Sequence, residues 1–255
     1  TLGGDAGTDP ETVLANADLA MYAAKEASRN AVVVYDPHAP HAERARARFR
    51  WLDRIRYALD HGLFTLVGQP LLDLSTDQVT GCELLLRMRE NGDLIGPDQF
   101  LYIAESHGLA PAIDRYVIRR GIALAAAQPR PAGFRWEINL SADSLAEPDI
   151  PHLIEVELAR TGLPPDALVF EITETAAIGN MSQARSFAAQ ITDIGCRFAL
   201  DDFGAGYGSF YYLKHLPFEY LKIDGEFIRH LTSSNTDRAI VRAIDYQKYE
   251  SVTTL

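Results

Sequence analysis

Short β-rich runs alternate with helical stretches along most of this chain, and that alternation restricts its fold more than any other feature. β-favouring apolar runs recur near 64–72, 79–88, 134–141, 167–172, 197–202 and 219–224. Between most of them, 97–106, 111–127, 149–161, 180–194 and 235–248 place apolar residues at helical spacing. This is the pattern of parallel βα units. An open doubly wound sheet and a closed (β/α) barrel both satisfy it. Polar residues gathered at the strand ends favour the barrel, which carries its chemistry on the C-terminal rim of several strands. With 255 residues, 47% of them hydrophobic, the chain can fill one such core.

The first residues stand apart. Asp9 to Lys25 has helical spacing and Ala31 to Tyr35 is β-rich, an αβ piece too short to fold alone. From Pro37 to Arg50 the composition turns to Pro, His, Ala, Arg and Glu, which suits a linker becoming a solvated helix. Alanines interleave the basic run Arg44 to Arg50, so it reads as one exposed helix face. A net charge of -11 argues against a nucleic-acid polymer as partner, yet leaves room for a small phosphate ligand in a local pocket. No apolar stretch reaches the roughly 18 residues of a membrane helix, and a cytoplasmic location is expected. Cys82 and Cys196 sit in apolar runs and read as buried thiols. His107, His215 and His230 are scattered singly, and no Gly-x-Ser-x-Gly elbow occurs.

The chemistry concentrates at the strands. Glu83 lies within the second, Asn139 in the third, Glu171 in the fourth, Asp201 and Asp202 in the fifth and Lys222 in the sixth. Carboxylates brought to one rim raise one another's pKa unless a positive charge sits among them. A divalent cation resolves that conflict, and all-oxygen donors without His or Cys suit Mg²⁺ or Mn²⁺ better than zinc. Adjacent aspartates suggest two metals, although strand alternation points neighbours apart. Both can serve only if Asp202 lies where the strand gives way to the loop Gly204-Ala205-Gly206-Tyr207-Gly208. Lys222 reads either as a strand-end surface lysine or as a group that orients a nucleophilic water.

Six ordered motifs over residues 50 to about 244 resemble the EAL phosphodiesterase family. They are Gln69-Pro70, Glu83-Leu84-Leu85-Leu86-Arg87, Asn139-Leu140-Ser141, Glu171-Ile172-Thr173-Glu174-Thr175, Asp201-Asp202-Phe203-Gly204 and Leu221-Lys222-Ile223-Asp224. The resemblance implies a modified TIM-type barrel that hydrolyses cyclic-di-GMP to pGpG with Mg²⁺ or Mn²⁺ and forms a homodimer. By the same resemblance, Glu83, Asn139, Glu171 and Asp201 are first-metal ligands, and Asp201 and Asp202 serve the second. Lys222 resembles the lysine that holds the water, and Glu174 the glutamate that steadies the glycine loop. Gln69, Leu85 and Arg87 resemble substrate contacts. Residues 1–36, with Ala17-Asp18-Leu19-Ala20-Met21-Tyr22-Ala23-Ala24-Lys25, resemble the end of a GGDEF (diguanylate cyclase) domain. The organisation expected is a GGDEF remnant at 1–36, a linker helix at 37–50, the EAL domain at 51–244 and a non-matching tail at 245–255.

Two departures stand out. The family's naming alanine is Leu84, whose side chain is expected to face away from Glu83 toward the helices. After Ile244 the sequence matches neither of the family's last two strands, one of which carries a metal-site glutamate, and no β-rich run surrounds Glu250. The expectation is an incomplete barrel of about six strands among the eight that closure takes, with weak or absent hydrolysis. A non-catalytic cyclic-di-GMP receptor and a regulatory interaction module are the alternative readings.

Overall fold

A computed structural model describes residues 40–129, 131–204, 216–236, 238, 241 and 250–252, with 40–48 and 250–252 described in backbone only. The expected remnant at 1–36 and most of the helix expected at 235–248 lie outside these residues. The chain divides into two compact units, Thr1–His61 and Gly62–Leu255. Helix α1, Pro40–His61, belongs to the first. It continues well past Arg50, where the linker helix was expected to end.

The second unit is built on one sheet. Strands β1 (Phe64–Asp73) and β2 (Gln78–Glu90) form an antiparallel hairpin across a gap in which no helix was expected, and so depart from the parallel βα pattern. The segment between them is too short for a parallel crossover, which takes a dozen or more residues. Its turn is fixed locally: Asp73 Oδ1 accepts from the Ser75 and Thr76 amides at 2.8 and 3.0 Å. Asn91 and Gly92, at φ 51° and 93°, make a second tight turn into β3 (Asp93–Ile95), which pairs antiparallel with β2.

From β2 onward the pairing is parallel through β4 (Arg135–Asn139), β5 (Leu168–Thr173), β6 (Arg197–Phe203), β7 (Tyr220–Ile223) and β8 (Glu250–Val252). The strand order is β1-β2-β4-β5-β6-β7-β8, an α/β sheet of barrel type that does not close among the described residues. Strand β8 corrects the expectation that the tail holds no strand. Its register sets Glu250 beside Tyr220, at the start of β7 and two residues before Lys222. On that register Glu250 sits roughly 7 Å below the level of Lys222, away from the rim.

Helices α2 (Leu101–Ser106), α3 (Ala110–Ala127), α4 (Ile150–Thr161), α5 (Glu174–Gly179), α6 (Met181–Ile194) and α7 (Gly225–Arg229) fill the connections. Gly162 and Gly195 end α4 and α6 in the left-handed conformation that glycine adopts without strain. The sequence reading missed α5, which Thr173 caps by accepting from the Ala176 amide at 3.2 Å.

Strand alternation sorts the side chains by face. Leu84, Ile138, Phe170, Ile172, Leu221 and Ile223 are buried on the helix side. Leu84 faces α3 as expected: a Cβ on Gly121 would fall 3.2 Å from Leu84 Cδ1 and 2.9 Å from Ile138 Cδ1. The bare helix surface at Gly121 thus accommodates the larger residue at position 84. On the opposite face, Val169, Ala199 and Tyr220 form an apolar layer near the strand starts. The Tyr220 hydroxyl there accepts from Arg135 Nη1 at 2.8 Å and from Arg197. Cys196 is buried, and burial pushes its thiol up to about 12. Cys82 is only half-buried, contrary to expectation.

Candidate metal centre

Above the apolar layer, the inward positions of four strands turn acidic. Glu83 on β2 pairs in register with Glu137 on β4, and Asn139 with Glu171 on β5. Glu83, Glu137 and Glu171 are all buried, and one carboxylate oxygen from each lies within 4.8 Å of the others. Lys222, 3% exposed, enters this cluster from β7. Its Nζ donates to Glu83 Oε2 and Glu171 Oε2 at 2.8 Å each and lies 3.5 Å from Glu137 Oε2. The surface-lysine reading is thereby excluded. Asn139 Nδ2 donates to Glu83 Oε1 at 2.7 Å.

Asp201 and Asp202 stand at the rim, and both line a cavity of about 1060 Å³ together with Glu83, Asn139 and Leu85. Alternation should send the two aspartates to opposite faces. The strand escapes this by an irregularity: pairing with β7 slips between Leu200 and Phe203, and Asp202 takes φ 53°. The break therefore falls inside β6, before the glycine loop where it was expected. Asp202 N donates to Asp201 Oδ1 at 2.8 Å.

Sequence reasoning missed Glu137. The available signal was its spacing, two residues before Asn139 and so on the same face of β4. Of the expected substrate contacts, Leu85 lines the cavity. Gln69 pairs in register with Glu83, and half-buried Arg87 donates through Nη1 to the Leu86 carbonyl at 2.7 Å. Neither belongs to the cavity lining. His107 has a local partner, its Nδ1 lying 3.0 Å from the Ile103 carbonyl.

The donor set fits a divalent cation. Glu171 Oε1, on a proposed ligand, is buried without a hydrogen-bond partner. Bare carboxylate oxygens in a dry interior are what a hard, oxygen-seeking ion satisfies. Burial pushes the Glu171 carboxyl well above its ordinary value, and Glu137 and Glu83 add to this against the pull of Lys222. Burial also raises Asp201, and burial with its neighbour Asp201 raises Asp202. For Lys222 burial alone would lower the ammonium, but Glu171, Asp201, Glu83 and Glu137 together hold it above its usual range.

These directions fix a pH dependence. The folded, metal-free protein retains carboxyl protons that the unfolded chain has released, so stability falls as pH rises from about 5 to about 8. Lys222 is protonated in both states over that window and adds no slope. Thermal unfolding in EDTA should therefore show Tm declining across this range, and Mn²⁺ should flatten the decline by binding the ionised carboxylates. A Tm that rises steadily over the same range without metal would contradict this.

Glu174 braces the rim: its Oε2 accepts from the Gly204 amide at 2.9 Å. Gly204 has φ 101°, and a Cβ there would fall 2.6 Å from the Phe227 ring of α7. Gly204→Ala should cost about 1–3 kcal/mol, since both the backbone conformation and a rigid ring oppose the methyl. Urea unfolding measures this, and a loss below about 0.5 kcal/mol would contradict the packing described.

The EAL domain pattern matches residues 52–245. The Escherichia coli cyclic di-GMP phosphodiesterase PdeF is 37% identical over 195 residues, covering 76% of this chain and 26% of that protein. The Shewanella oneidensis cyclic di-GMP phosphodiesterase PdeB is 34% identical over 241 residues, covering 92% and 28%. The chain thus spans little more than a quarter of the length of these relatives. Among solved structures, a PaMucR phosphodiesterase in complex with c-di-GMP superposes with a TM-score of 0.72 at 32% identity, covering 80% of this chain and 85% of that one. The FimX EAL domain of Pseudomonas aeruginosa bound to c-di-GMP gives 0.73 at 31% identity, covering 80% and 84%. Among the described residues, no helix is long and apolar enough to cross a membrane.

Proposed function

The chain belongs to the EAL domain family, and on that premise we propose that it hydrolyses cyclic-di-GMP to linear pGpG, only weakly as this chain stands, with Mg²⁺ or Mn²⁺ as the bound ion. The observation that carries this reading is the convergence of Glu83, Asn139, Glu171 and Lys222 beneath a cavity rimmed by Asp201 and Asp202. Glu83, Asn139, Glu171 and Asp201 would hold one ion, and Asp201 and Asp202 would serve a second. When bound, such ions activate a coordinated water near neutral pH and draw charge from the phosphodiester.

The chain's own groups do the rest. Lys222 orients the attacking water and offsets charge developing on the phosphate. Leu85 gives the cavity an apolar wall, Gln69 and Arg87 contact the ligand, and the Arg87 guanidinium suits a phosphate oxygen. Glu174 keeps Gly204, and with it Asp202, in place. Leu84 packs against α3 and leaves the chemistry untouched. The reaction belongs to bacterial second-messenger signalling in the cytoplasm, residues 1–36 are the end of a GGDEF domain, and the complete protein works as a homodimer.

The test is a single-turnover assay with protein in excess over cyclic-di-GMP, read by chromatography of the nucleotides. Mn²⁺-dependent pGpG, abolished by EDTA, is the result expected. Tight cyclic-di-GMP binding without product in either metal would replace this reading with that of a receptor.

A further inference from the structure

The acidic cluster holds one carboxylate more than the proposed metal site uses. Glu83 and Glu171 are asked to do two things: each pairs with Lys222 at 2.8 Å, and each is a proposed metal ligand. A divalent cation competes for the same oxygens and repels the ammonium. If only these two residues held Lys222, loading the site would strip it of its counter-charge. A buried ammonium without a partner is strongly disfavoured.

Glu137 is placed to prevent this. It lies 3.5 Å from Lys222 Nζ, is 1% exposed, and its Oε2 accepts no hydrogen bond. It lies two positions before Asn139, toward the start of β4, which sets it roughly 7 Å farther from the rim than Asn139. Like Glu171 and Lys222, it is absent from the cavity lining, to which Glu83 and Asn139 belong. Charge counting agrees: the carboxylates of Glu83, Glu137, Glu171, Asp201 and Asp202 with the Lys222 ammonium leave four negative charges, which the two proposed divalent ions balance.

We propose that Glu137 is a positioning residue, the counter-ion that retains Lys222 when Glu83 and Glu171 turn to the metal. The proposal rests on the metal site described above but not on the identity of the substrate. Removing Glu137 should release Lys222 in the metal-loaded protein alone, because in the metal-free protein Glu83 and Glu171 still hold it.

The experiment is ¹⁵N NMR of lysine ammonium groups in the full chain, with and without Mg²⁺, the Lys222 signal being identified by its absence from Lys222→Arg. Wild type should show a slowly exchanging Lys222 ammonium in both states. Glu137→Gln should keep it without Mg²⁺ and lose it with Mg²⁺, and Glu137→Asp should restore it. Retention in Mg²⁺-loaded Glu137→Gln, or equal loss in both states, would overturn the proposal. So would a hundredfold weakening of Mn²⁺ binding by Glu137→Gln, read by electron paramagnetic resonance, with the signal intact: Glu137 would then be a ligand. Should Glu137→Gln fail to fold, the wild type carries the test, since absence of a protected signal in its Mg²⁺-loaded form overturns the proposal. Failure of hydrolysis with the NMR pattern as expected would sink the phosphodiesterase reading and leave this one standing.

Discussion

Lys222→Met should lower metal-free stability by about 3–5 kcal/mol, the cost of breaking a buried ion pair and leaving the partner charges uncompensated. Three buried carboxylates surround the Nζ, and the replacement leaves them with no cation among the described residues. The loss should shrink at low pH, where the carboxyls take up protons, and in Mn²⁺, which supplies the missing charge. Urea unfolding at two pH values, with and without Mn²⁺, reads all of this. A lysine that merely rested on a strand end would change stability by no more than about 0.5 kcal/mol. Hydrolysis should fall by about 10²–10³, the usual effect of losing one preorganised group at a developing charge.

Glu171→Gln should do the reverse to the fold. Glu171 is fully buried, its Oε1 lacks a partner, and burial already disfavours its charged form. The isosteric amide removes that charge while Glu83 and Glu137 continue to hold Lys222. Metal-free stability at about pH 8 should therefore stay level or rise by up to about 1 kcal/mol, because the amide relieves the repulsion among three crowded carboxylates while two of them still compensate the ammonium. Mn²⁺ affinity, in contrast, should drop by at least about 100-fold and hydrolysis with it, because a ligand is lost outright. Calorimetric titration with Mn²⁺ and urea unfolding separate the two effects. A variant that loses stability while binding Mn²⁺ normally would make Glu171 a structural residue.

Much of this was legible in the sequence. The strand positions followed from apolar runs, and Glu83, Asn139, Glu171, Asp201 and Lys222 stood at the inward positions alternation assigns. What escaped depended on pairing. The segment between β1 and β2 was already too short for a helix crossover, and Asn91-Gly92 is a strong hairpin signal, so both turns were readable but unread. Glu137 looked like one more charge in Arg135-Trp136-Glu137-Ile138-Asn139. Its meaning comes from lying in register with Glu83, and register between distant strands is not written in local pattern. Adjacent aspartates announced a conflict with alternation, but only the backbone reveals its resolution by a left-handed Asp202. Strand β8 was invisible because three residues of mixed polarity carry no periodic signal.

Crystals grown with Mn²⁺ and measured at the manganese absorption edge locate the ion without reference to any activity. An anomalous peak enclosed by Glu83, Asn139, Glu171 and Asp201 is the outcome the proposed site predicts. Saturating Mn²⁺ that gives no peak there, or only peaks on the outer surface, would contradict the site from which every functional statement above is built.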